Sequence, residues 1–152
     1  MGISFNGALS DDTISAVGKI AIEAAGLDLL LGHVVCLLGN FTGEDELEVF
    51  KEDTRKKNHR LKKLLPAGDE REITVRIKQA LKERNFFIHA AMQTSNSKGW
   101  PDQVRVFRGE YAGREPKVTP QFAADVLCRI ETINNDLYWI IDRIVATRQA
   151  SS

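Results

Sequence analysis

IAIEAAGLDLLLGHVVCLL, residues 20–38, is the most apolar window of the chain. It is long enough to suggest a membrane span, but Glu23, Asp28 and His33 lie inside it, each costly in lipid. Leu27, Leu29, Leu30, Leu31, Val34, Val35, Leu37 and Leu38 are apolar nearly all round a helix. The window therefore predicts a buried central helix of a packed helical domain. Ser10-Asp11-Asp12 can cap its start and Gly39-Asn40 can end it, so a first helix is expected over about Asp12 to Leu38.

Three more helices are expected around it. The second runs from about Gly43 to Leu65 and is stopped by Pro66 and Gly68. Glu44, Asp45, Glu46 and Glu48 crowd its start, and Arg55, Lys56, Lys57, Arg60, Lys62 and Lys63 crowd its end, an order that complements the helix dipole. The third runs from Asp69, as N-cap, to roughly Thr94. The fourth opens on Thr119-Pro120 and runs to about Arg148, with Val126, Ile130, Ile133, Leu137, Ile140 and Ile144 as its core stripe. Between the last two, residues 99–118 read as a small β-hairpin or ordered loop. The expected architecture is all-α: a four-helix up-down bundle with that decoration. Residues 1–152 form one domain, with residues 1–11 a loose N-terminus.

Composition narrows the partners. Twenty-one basic residues balance 21 acidic ones, so no global positive field draws in nucleic acid. Affinity for RNA must come from a local patch and depend on salt. Cys36 and Cys128 sit in apolar contexts without metal-site spacing, and read as two buried free thiols in a reducing cytoplasm. Met1 to Asp12 lacks the basic and apolar regions of a signal peptide. The expectation is a cytoplasmic protein with no membrane span, no cofactor and no metal.

The third predicted helix carries the chemistry. On a helical projection Ile73, Ile77, Ala80, Leu81, Ile88 and Ala91 gather on one face, and Arg84 lands within that stripe. A buried guanidinium needs a partner, because desolvating its charge costs several kcal/mol. Asp28, on the apolar side of the first helix, is the expected structural partner of Arg84. Asn85 and His89 are four apart and share a second face with Lys78 and Lys82, edged by Phe86 and Val75. Exposed apolar surface beside an imidazole and two cations suggests a homodimer contact bordering a polar site.

Arg84, four residues with polar Asn85 first, then His89, resembles the signature of the HEPN superfamily. The four-helix layout and the motif's place late in the third helix are similar too. The charged second helix and the loop before Thr119-Pro120 resemble, more loosely, HEPN proteins of toxin–antitoxin and abortive-infection systems. The resemblance implies a metal-independent endoribonuclease working as a homodimer. His89 would act as general base or acid, Arg84 would bind the scissile phosphate, and Asn85 would orient one of them. The product would be a 2′,3′-cyclic phosphate. A cognate antitoxin or nucleotidyltransferase protein would be a partner. The residue chemistry agrees independently. Imidazole exchanges protons near neutral pH, and guanidinium forks onto phosphate oxygens. An Arg and a His five apart point about 140° from each other on one helix, so two copies serve one phosphate better than one.

Other readings stand beside this one. A catalytically silent module of the same fold would bind RNA, nucleotide or a partner protein. A helical interaction protein would use Arg84 and His89 only structurally. His33 reads as structural and His59 as solvated. The run from Arg55 to Lys63 can grip RNA phosphates, but reads first as a soluble helix end. Arg105, Arg108 and Arg114 read as surface, and Trp100 as a loop anchor.

Overall fold

A computed structural model describes residues 11–68, 71–93 and 120–152. The expected hairpin, Asp69, Trp100, Arg105, Arg108, Arg114 and Thr119 lie outside the described residues. Within them the protein is all-helical, with five helices: α1 (Asp11–Gly39), α2 (Glu44–Lys51), α3 (Thr54–Leu64), α4 (Glu72–Gln93) and α5 (Pro120–Ala150).

α1 is the centre of the molecule and packs on each of the other four helices, most extensively on α5. By length and composition its span Ile14–Gly39 could cross a membrane, with mean hydropathy 1.8, yet half of the apolar window is buried inside the fold. Leu27, Leu31, Val34 and Val35 are fully buried, facing Leu61, Ile77, Val126, Ile130, Ile133 and Leu137. Removing each such side chain from water contributes roughly 1.5–3 kcal/mol. The apolar character extends to the outer side as well, where Ile14, Ile22 and Leu29 are 55%, 72% and 53% exposed.

α1 ends as its sequence predicts. Asn40 adopts the left-handed conformation at φ 53°. The Phe41 N–H donates to the Cys36 carbonyl at 3.0 Å and Asn40 N–H to Leu37 at 3.4 Å, the bond pattern of a Schellman ending. Arg148 of α5 adds to this ending, donating to the Leu37 carbonyl and to Asn40 Oδ1. Gly39 is required here, since a Cβ would strike the Phe41 ring folded back over it.

The predicted second helix is two helices. Glu52 and Asp53 are extended, with ψ near 152° and 159°, and the helix is broken there. Asp53 turns its carboxylate onto the Lys56 N–H at 2.8 Å and becomes the N-cap of α3. Glu52 is held by a two-bond fork from Arg60, at 2.7 and 2.6 Å. α2 and α3 each pack on α1. Phe50 near the end of α2 presses onto Gly32, where a Cβ would lie 2.6 Å from the ring.

Contacts along the helices fix their directions. Asn134 of α5 donates to Glu23, and Arg148 reaches Leu37, so α1 and α5 run parallel, whereas the expected up-down order sets the first and last helices antiparallel. α4 runs against α5, through Arg76–Asp136 and Arg129–Glu83, each 2.6 Å, and Phe86 on Phe122. Cys36 is buried as expected, but Cys128 is exposed: it lies on the outer side of α5, off the Val126–Ile130–Ile133 stripe.

Candidate active site

α4 is pinned along its length before it reaches the candidate residues. Asn58 donates to the Thr74 carbonyl at 2.9 Å, and Glu83, buried, takes Arg129 and Gln79 on its two oxygens at 2.6 and 2.9 Å. Ile73, Ile77 and Ala80 point into the core. Arg84 continues this stripe, half-buried, and loss of water pushes its guanidinium pKa down, while the nearby Asp28 carboxylate opposes the shift.

The expected Asp28–Arg84 ion pair is not formed. Asp28 accepts from Lys57 Nζ at 2.6 Å and from the Thr54 hydroxyl at 2.7 Å. Lys57 is fully buried and lies over the Phe50 ring, so it has no alternative to this carboxylate. The physical reason is priority of need: a wholly desolvated ammonium holds the carboxylate, while Arg84 keeps partial access to water. Two cations therefore surround one carboxylate.

Arg84 binds Asn85 instead. Its Nε and Nη2 both donate to Asn85 Oδ1, at 3.1 and 2.7 Å. Among the described residues no carboxylate forms an ion pair with Arg84. Asn85 is exposed and neutral, so it orients the guanidinium without cancelling its charge. His89 belongs to the same helix, four residues beyond Asn85; its side chain lies outside the described residues. Lys78 is exposed on α4 and Lys82 is half-buried.

One expected feature of this face is absent. Phe86 is not surface: it is 4% exposed and meets Phe122 edge-to-face at 5.8 Å. The N-terminal turn of α5 supplies an aromatic neighbour that extends the core around this side of α4. Val75 does remain exposed. His33 and His59 are exposed as well, His33 resting edge-on against Phe50 at 5.0 Å. The described residues contain no cluster of three or more His, Cys, Asp or Glu side chains that could hold a metal.

The sequence reading missed Lys57, which it placed in a solvated basic run. The available signal was spacing: Lys57 precedes Leu61 by four and falls on the inner stripe of α3. No protein-family model, curated protein or solved structure matches the chain.

Proposed function

We propose that this chain is a HEPN-type endoribonuclease that acts as a homodimer and needs no metal. The observation that carries the proposal is Arg84. It is a half-buried guanidinium held by a neutral amide, with no paired carboxylate among the described residues. A cation kept uncompensated at a desolvated position is suited to an anionic ligand, and a phosphate diester supplies the matching oxygens. Asp28, the nearby carboxylate, is already occupied by Lys57 and so leaves the Arg84 charge available.

In this reading α1, the α2–α3 pair, α4 and α5 correspond to the four legs of the HEPN bundle. His89 removes the proton from a ribose 2′-hydroxyl. The freed oxygen attacks the adjacent phosphorus, and the bond to the 5′-oxygen breaks. That oxygen leaves with a proton taken from water. The products are a 2′,3′-cyclic phosphate and a 5′-hydroxyl. Arg84 neutralises the non-bridging oxygens as charge builds there, and Asn85 keeps the guanidinium in place. Lys78 and Lys82 flank the same helix and steady the strand. With Phe86 in the core, the apolar surface for a second copy comes from α1, where Ile14, Ile22 and Leu29 are largely exposed. The setting that suits such an enzyme is a cytoplasmic toxin or antiphage effector restrained by a cognate partner.

The test is RNA cleavage in excess chelator. His89→Ala is expected to abolish it while circular dichroism and melting temperature stay as in the parent. Cleavage that persists in that variant, or that disappears with the metal in the parent, overturns the proposal.

A further inference from the structure

Lys51, Lys57, Arg60, Arg76 and Arg129 each hold a carboxylate. On α3, Arg55, Lys56, Lys62 and Lys63 are exposed and have no ion pair among the described residues. They share the outer side of the helix with exposed His59, opposite buried Lys57 and Leu61. A cavity of about 590 Å³ opens among Arg55, Lys56, His59, Lys63 and the Glu52–Arg60 pair.

The two acids nearest this face are turned to other uses. Glu52 is held by both bonds of Arg60, and the Arg60 bond holds the Glu52 carboxyl below the ordinary glutamate range. Asp53 caps α3. Four like charges on one short helix repel one another, and in a chain of zero net charge enough carboxylates exist to relieve them. Instead Glu48 is bound to Lys51 and Glu52 to Arg60, and neither forms an ion pair with these four cations. Arg55 and Lys63 are about 12 Å apart along the axis, a span that covers several phosphates of a nucleic-acid strand.

α3 also lies beside the helix that carries the candidate site: it packs on α4, where Asn58 donates to the Thr74 carbonyl at 2.9 Å. We propose that the outer face of α3 binds the phosphate backbone of the RNA substrate. This surface rests on the ribonuclease reading for the identity of its polyanion. The contacts are to phosphates, so binding is independent of sequence and weakens steeply with salt.

The test measures binding, not cleavage. A fluorescently labelled single-stranded RNA is titrated in the His89→Ala background, with and without Arg55→Gln, Lys56→Gln, Lys62→Gln and Lys63→Gln together. Glutamine preserves helix propensity at these exposed positions. The expected result is at least a tenfold loss of affinity at low salt. The slope of log affinity against log salt should flatten by about 2–3 units, since each single-strand phosphate contact contributes about 0.7. If the fourfold variant does not fold, Arg55→Gln and Lys63→Gln singly should each flatten the slope by about 0.7. Unchanged affinity and slope overturn the proposal, as does binding to phosphatidylserine vesicles in place of RNA. Failure of the nuclease reading looks different: the parent cleaves nothing, yet RNA binding still depends on the four cations.

Discussion

Asp28 carries two unequal dependants. Lys57 is completely buried and relies on it, whereas Asp28 itself is 36% exposed and retains the Thr54 hydroxyl. Removing either partner therefore has different consequences. Asp28→Ala leaves a desolvated ammonium without a counter-charge and is expected to cost about 3 kcal/mol. Lys57→Met keeps the buried volume and leaves a carboxylate that water can reach, at an expected cost below about 1.5 kcal/mol. Urea denaturation of the two variants checks the ordering; equal losses would mean the pair is not where Lys57 draws its stability. The same contrast explains what was legible at this scale. Arg84 was foreseen on the apolar stripe because helical periodicity alone places it between Ala80 and Phe87. Its partner was not, because Asp28 has more than one cation in reach. The competition is settled by burial, a tertiary property that no local pattern encodes.

The break between α2 and α3 shows the corresponding limit for elements. From Glu44 to Leu65 the chain contains neither glycine nor proline, and its charges grade from acid to base as one dipole would favour. What divides it is local: Asp53 as N-cap and Glu52 locked to Arg60. Asp53→Ala should destabilise by about 1 kcal/mol, measured by thermal melting. Gly32→Ala should cost about 1–3 kcal/mol by driving a methyl group into Phe50, and a smaller residue at position 50 should recover part of the loss. The Glu52 carboxyl has its pKa lowered chiefly by the hydrogen bond from Arg60, so the folded chain binds that proton more weakly than the unfolded one. Its contribution is complete above the ordinary glutamate value of about 4.3 and is lost as pH falls through the lowered folded value. The stability difference between the parent and Glu52→Gln should accordingly be level near neutrality and shrink in acid. A difference that grows on acidification would contradict the pairing. By contrast the ends of α1 and α5 were readable, because Asn40 and Pro120 act through backbone conformations that belong to the residue itself.

At the scale of the whole molecule, an all-helical fold around α1 follows from the apolar window, which needs neighbours on most sides to be buried. The proposed active site does not follow in the same way, because α4 alone cannot assemble it. Arg84 and His89 are five residues apart and diverge by about 140° around the helix axis. If catalysis needs both on one phosphate, the second group comes from a second copy, related by a two-fold axis. That arrangement makes a quantitative prediction for mixed dimers. Arg84→Ala and His89→Ala are each expected to be inactive as homodimers. Co-folded in equal amounts, half the dimers are mixed, and each mixed dimer pairs one intact guanidinium with one intact imidazole across the axis. Activity should return to about a quarter of the parent, since half the molecules regain half their sites. Differentially tagged chains allow the mixed species to be isolated and assayed alone, where recovery should reach about half. Mixed dimers that form but stay inactive would mean that each site draws both groups from one chain, and the geometric case for pairing two copies of α4 would fail with them.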